Sequence, residues 1–387
     1  MLVKPGEMPD FPQKGIHDVE LRPHETLTVE ACHQFKRSRP GILQHSHETG
    51  GGNLCVHQSS RKPVEPMKIS LITPAAKTSR AGNRTTAVRW ARILGDLGHQ
   101  VDVATTYEDD ADADLMLALH AWRSSSSIAR FKARHPERPL IVALTGTDIY
   151  HYLAADPEPT LRSLDLADRL IGLHDLVPAA LPERHRQKVD VVFQSALPRR
   201  RRWAASEEAF EVLVIGHLRT EKDPFCAARA ARRLPVRSHI RIVHLGGAHE
   251  EVWATRARAE MADNSRYLWL GDRPQSLVRR WLTRGRVMVL SSRQEGGANV
   301  VSEAIAAGLP VIASGIPGTI GLLGPAYPGY FPIGDDAALA GMLLRAEEDP
   351  QFLRALSNGG AARAYLFSPA QERESLRRVV VSISIEV

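Results

Sequence analysis

Cysteine is scarce in this chain. Three residues, Cys32, Cys55 and Cys226, among 387 exclude a disulfide framework. Together with the lack of a signal-peptide core, this predicts a reduced, cytoplasmic protein. Long apolar runs are also missing. None approaches the ~20 residues that span a bilayer, so no stable membrane association is expected. Compact metal-ligand spacing is absent as well. Cys32, His33, His45, His47, Cys55 and His57 fall in a stretch without helix or strand pattern and read as incidental, so no metal is expected. The excess of positive charge is slight, +6, and part of it lies in the run Arg199 to Arg202, which reads as solvated surface. No fold signature for nucleic-acid binding accompanies it. The hydrophobic share of 43% and charged share of 24% are those of an ordinary soluble globular protein, with length for two domains and an extra segment.

One stretch, Ser291 to Ser314, organises the rest. Val287 to Leu290 is a short buried strand, and Gly296-Gly297 allows a sharp turn and close approach to a ligand. Helical spacing begins near Ala298, with Val300, Val301, Ala304, Ile305 and Ala307 on the buried face. Gly308 caps this helix, Pro310 stops it, and Val311-Ile312-Ala313 opens the next strand. Glu295 therefore sits at the carboxyl end of a parallel strand, where open α/β sheets bind ligands. Glu303 follows in the second helical turn. Free amides of Gly297, Ala298 and Asn299 suit sugar hydroxyls or phosphate.

Elsewhere strands and helices alternate. Residues 1–66 carry no sustained periodicity and read as a disordered extension, or as sequence upstream of a start at Met67. Residues 67–200 form a doubly wound domain with strands at Lys68–Thr73, Gln100–Thr105, Leu115–Leu119, Leu140–Leu144, Arg169–Gly172 and Val189–Phe193. The loop after its first strand carries Lys77, Arg80, Gly82, Asn83, Arg84 and Thr85 into a helix start, a cluster suited to a small, multiply charged anion. The third strand delivers His120 and Arg123, and the fourth Thr147. The acidic run Glu108 to Asp114 precedes a strand, away from the ligand edge, and reads as a solvated turn.

A polar linker leads to a second doubly wound domain, 208–367. Asp223 is expected as an N-cap with Pro224 at N1, opening a helix to about Arg233. Lys222 then stands just ahead of that helix. Asp335-Asp336 and Pro350 begin two later helices, and 368–387 is a terminal segment.

The stretch around Glu295 and Glu303, its closing Ala307-Gly308-Leu309-Pro310-Val311-Ile312-Ala313 run and Pro317-Gly318 resemble the donor signature of family 4 glycosyltransferases. That resemblance implies the GT-B architecture over about 67–380, an α/β class with two Rossmann-like domains facing across a cleft, and a terminal helix returning to the first domain. It implies that Glu303 holds ribose hydroxyls, while Glu295, Gly296, Gly297, Ala298 and Asn299 hold the donor sugar. It places Lys222 and Arg219 on the diphosphate, His217 standing where the family has arginine, and Arg273 at the nucleobase. Gly297-Ala298 departs from the usual Phe-Gly and leaves the sugar open.

The first domain supports a narrower resemblance. Arg80 to Ala91, Leu119 to Ser124 and Thr145-Gly146-Thr147-Asp148 are similar to the selenosugar synthases of selenoneine biosynthesis. That family transfers a hexose or N-acetylhexosamine from a UDP-sugar to selenophosphate. It implies UDP-glucose or UDP-N-acetylglucosamine and selenophosphate as substrates, and no cofactor besides the UDP-sugar. His120 and Glu295 are then the catalytic pair, with Lys77, Arg80, Gly82, Asn83, Arg84, Thr85, Arg123 and Thr147 on the acceptor. A transferase with a carbohydrate or lipid acceptor, a UDP-sugar epimerase, and a nucleotide-sugar-binding module are the competing readings.

Overall fold

The computed structural model describes residues 65–79, 81–108, 112–198 and 204–385. All of them lie in one compact unit, Lys62–Val387. Arg80, the centre of the acidic run and the whole Arg199 to Arg202 run lie outside the described residues, as do the cysteines and histidines of the N-terminal extension.

The first half builds a parallel sheet from β1 (Lys68–Ile72), β2 (Gln100–Ala104), β3 (Leu115–Leu119), β4 (Leu140–Leu144), β5 (Arg169–Gly172) and β6 (Val189–Val191), in the order β2-β1-β3-β4-β5-β6. Its helices are α1 (Gly82–Gly95), α2 (Ser125–Arg134), α3 (Leu153–Ala155), α4 (Pro157–Leu166) and α5 (Glu183–Arg186). β3 and β4 are buried at every position, as strands covered by helices on both faces must be. One face packs Trp90 and Leu94 of α1 against Leu71 and Leu117. The other packs Ile128 and Phe131 of α2 against Met116 and Val142.

The second half repeats the plan. β7 (Phe210–Ile215), β8 (Ile240–Leu245), β9 (Tyr267–Gly271), β10 (Val287–Leu290), β11 (Val311–Ser314) and β12 (Tyr330–Phe331) are parallel in the order β12-β11-β10-β7-β8-β9. Helices α6 (Cys226–Arg232), α7 (Glu251–Asp263), α8 (Gln275–Arg284), α9 (Asn299–Ala306), α10 (Pro317–Leu323), α11 (Asp336–Glu348) and α12 (Pro350–Ala362) cover it. Gly308, at φ +68, ends α9 in the left-handed conformation that glycine adopts without a Cβ penalty.

The last helix, α13 (Pro369–Ile385), crosses back to the first sheet. Leu376, Val379, Val380 and Ile383 join the core formed by Ile69, Leu71 and Trp90. Its fully buried Glu372 accepts hydrogen bonds from Arg89 Nε at 3.0 Å, Trp90 Nε1 at 2.8 Å and the Ser195 amide at 3.0 Å. No described helix is long and apolar enough to cross a membrane.

Two local expectations are corrected. The strand predicted over Val189–Phe193 stops at Val191. Asp223 is not an N-cap either. It lies at φ +39, closing a 3₁₀ turn over Thr220–Lys222, and α6 begins only at Cys226. The reason is electrostatic, because the Asp223 carboxylate faces Arg229 and Arg293, each at 3.2 Å, instead of the helix amides.

Candidate functional site

In the second sheet the chain leaves β7 towards β8 and leaves β10 towards β11, although β7 and β10 are neighbours. The connections diverge there and open a crevice at the carboxyl ends of the strands. Two loops line it, and they are stitched together. The Arg293 amide donates to the Glu221 carbonyl at 2.8 Å, and Ser291 Oγ donates to the Asp223 carbonyl at 3.0 Å. This junction carries Lys222 onto the carboxylate of Glu295 in an ion pair. Glu295 is buried, and Ser292 Oγ donates to the same carboxylate oxygen at 2.5 Å.

Glu303 stands half-buried in the second turn of α9 and accepts from Gln275 Nε2 at 2.8 Å. Gln275 opens α8, directly after the Gly271 to Pro274 loop. Sequence reasoning missed Gln275, and its only signal was its place after that loop. Arg273 is exposed in the loop itself. Arg219 turns towards Glu221, 3.9 Å away. Neither is drawn into the Lys222–Glu295 pair. The His217 ring lies half-buried beside His249, centroids 5.5 Å apart. Burial, the neighbouring His249 and Arg219 hold the His217 pKa below its usual value.

The first sheet has its own switch point between β1 and β3, so the β1–α1 and β3–α2 loops flank a matching crevice. The N-cap position of α1, Ala81, offers no side-chain cap, and its first turn has no acidic residue. Its leading amides thus remain available to an anion. Around them Asn83 and Arg84 are half-buried, while Lys77, Gly82 and Thr85 are exposed.

His120 follows β3 at φ +74 and is 2% exposed. A non-glycine residue held there is constrained by its surroundings. The constraint is visible. Fully buried Asp148 accepts from the amides of Ala121 at 3.1 Å, Thr145 at 3.0 Å and Gly146 at 2.7 Å, tying the end of β3 to the loop after β4. His120 Nδ1 accepts the Arg123 amide at 3.2 Å, so the ring proton sits on Nε2 and is donated to Thr147 Oγ1 at 2.9 Å. Burial holds the imidazole below its usual pKa against the opposing pull of Asp148, keeping it neutral. The Arg123 side chain is exposed.

The two crevices meet through glycine backbones. A Cβ at Gly296 would lie 2.3 Å from the Thr145 carbonyl carbon and oxygen, and one at Gly146 would lie 2.5 Å from the Gly296 nitrogen. Gly82, at the start of α1, faces Asn299, at the start of α9. Gln294 Nε2 donates to the Tyr150 carbonyl at 3.2 Å. The loop carrying Glu295 is thus closed onto the loop carrying Thr147. Among the described residues no group of three or more His, Cys, Asp or Glu side chains is placed to hold a metal ion.

Comparison with known proteins agrees with this geometry. Residues 198–363 match the family model for glycosyl transferases group 1. No curated protein matches the sequence. Among solved structures, HepE of Anabaena in complex with UDP and glucose is 15% identical, with a TM-score of 0.65 over 82% of this chain and 100% of that one. Sucrose-phosphate synthase from Thermosynechococcus elongatus is 17% identical, with a TM-score of 0.69 over 83% and 100%. A glycosyltransferase from Rickettsia africae is 12% identical, with a TM-score of 0.65 over 83% and 99%. At these identities the likeness speaks for the fold. The described chain therefore has the GT-B fold, and the stretch 198–363 within it is similar to the glycosyl transferases of group 1.

Proposed function

We propose that the chain transfers a hexose or N-acetylhexosamine from a UDP-sugar to selenophosphate, forming a selenosugar. The donor half is supported by Glu303 held by Gln275 for a ribose, Lys222 beside Glu295 for the diphosphate and sugar, and the uncapped start of α9. HepE, which shares the fold, has been solved with UDP and with UDP-glucose.

The acceptor half rests on one observation. The uncapped N-terminus of α1, with Lys77, Asn83 and Arg84 around it, faces the uncapped N-terminus of α9 across the cleft, Gly82 against Asn299. Two such ends suit two anions, one on the donor and one on the acceptor. Selenophosphate is a small anion whose selenium is nucleophilic without a strong base. The selenium forms a bond to C1 of the sugar, the C1–O bond to the diphosphate breaks, and UDP departs with the electron pair. The protein then has to align two anions and stabilise the departing charge. Lys222 meets that charge, and His120 donates from Nε2 to Thr147 Oγ1, orienting that hydroxyl at the reacting centre.

The test is UDP release from UDP-glucose and from UDP-N-acetylglucosamine, with and without selenophosphate, with mass spectrometry of the product. Release that depends on selenophosphate, with a selenium-bearing sugar formed, is expected. Selenophosphate-independent release would retain the donor site and discard the acceptor.

A further inference from the structure

Gln194 belongs to none of the motifs above. It follows β6 in the first domain, is 4% exposed, and donates from Nε2 to Thr86 Oγ1 at 2.5 Å. Thr86 has already committed its hydroxyl proton to the Gly82 carbonyl at 2.9 Å, so it offers Gln194 only lone pairs. That fixes which way the amide points. Its NH₂ must face Thr86, and its Oε1 must face the other way, towards the second domain. There it meets Gly297, where an added Cβ would lie 2.8 Å from it, and it has no hydrogen-bond partner among the described residues. Asn299, two residues on, also buries an unpartnered Oδ1, and its Nδ2 stands 3.8 Å from the Cβ position of Gly82.

Two buried acceptors therefore flank Gly297 where the starts of α1 and α9 meet. Buried acceptors without donors are rare in native structures and destabilising, so their placement points to a ligand that brings donors. An anion brings none and is repelled by a carbonyl oxygen. A sugar hydroxyl brings one. Resting on the UDP-sugar reading above, we propose that Gln194 is a donor-specificity residue of the first domain, whose Oε1 accepts a hydrogen bond from one hydroxyl of the sugar carried on UDP. Gly297 lacks a side chain where Gln194 and Leu173 approach, which allows the first domain to reach the sugar loop.

The experiment compares the affinities of UDP, UDP-glucose and each monodeoxy UDP-glucose for the full chain and for Gln194→Met, without any acceptor. For the native chain one deoxy donor binds about 10-fold more weakly than UDP-glucose, the loss of one buried hydrogen bond. In Gln194→Met that analogue and UDP-glucose bind alike, while UDP itself binds as before. Gln194→Glu, which keeps an acceptor at the position, retains the discrimination and serves if the methionine variant melts out. The same deoxy penalties in Gln194→Met as in the native chain would overturn this role and leave the UDP-sugar reading standing. No binding of UDP-glucose by the native chain would overturn both.

Discussion

Lys222 and Glu295 pair across the switch point of the second sheet, one from the loop after β7 and the other from the loop after β10, with the carboxylate buried. Removing the cation strands that charge. Lys222→Ala is expected to destabilise the protein by about 3 kcal/mol, because a buried carboxylate left unpaired is strongly disfavoured. In a domain of this size that lowers Tm by roughly 10 °C. The double variant Lys222→Ala/Glu295→Gln should recover most of the stability and none of the UDP affinity. Thermal melts with and without UDP check both parts. Equal melting of the single and double variants would show that the pair is not the cause.

Glu303 receives Gln275 and is expected to bond the ribose. Glu303→Ala should weaken UDP about 10- to 100-fold, the range for a hydrogen bond to a charged group. Glu303→Ala should lose less with 2′-deoxy-UDP, since part of the contact is already gone. Calorimetric titration of both nucleotides into both proteins measures the difference.

Domain apposition depends on the absence of two side chains. Gly296→Ala places a methyl inside contact distance of the Thr145 carbonyl, so the loops must part. UDP, held by the second domain, should bind as before. The transfer rate should fall about 100-fold, because a displacement of an ångström at the reacting centre has that effect. Steady-state kinetics beside UDP titration separates the two.

Two buried histidines make stability pH-dependent. Burial lowers His174 and His244 from 6.5 to about 4. The unfolded chain therefore binds more protons than the folded one between these values. Stability is complete above pH 6.5 and is lost as the pH falls towards 4, by about 2 kcal/mol per histidine at pH 5. His244 receives Tyr267 Oη on Nδ1 and donates from Nε2 to the Gly216 carbonyl, so its neutral form is the one the fold uses. Urea unfolding at pH 7 and pH 5 should show the loss, and His244→Gln should reduce it.

Glu372 fastens the terminal helix. Glu372→Ala leaves Trp90 Nε1, Arg89 Nε and the Ser195 amide without their acceptor and should destabilise by about 3–5 kcal/mol. Hydrogen exchange should report opening of α13 ahead of the second sheet. Uniform exchange across both would contradict a local clasp.

The parts of the fold written locally were legible. Val287 to Leu290, Gly308 and the apolar spacing of Val301, Ala304 and Ile305 predict a βαβ unit, and the structure has it, because strand burial, helix period and a left-handed cap are each set by neighbours in sequence. Asp223 was misread for the opposite reason. Its local preference for an N-cap yields to Arg293, seventy residues away, and to Arg229.

The sequence by itself determined that strands and helices alternate, that glycines interrupt them at ligand edges, and that two carboxylates and a basic helix start lie at those edges. Only the tertiary structure decided which of these groups meet. It turned Lys222 onto Glu295, set His120 against Thr147, supplied Glu303 with Gln275, and brought Gln194 to Gly297. These partners come from separate loops, and their proximity is a property of strand order and of how the two sheets pack, which no local pattern encodes.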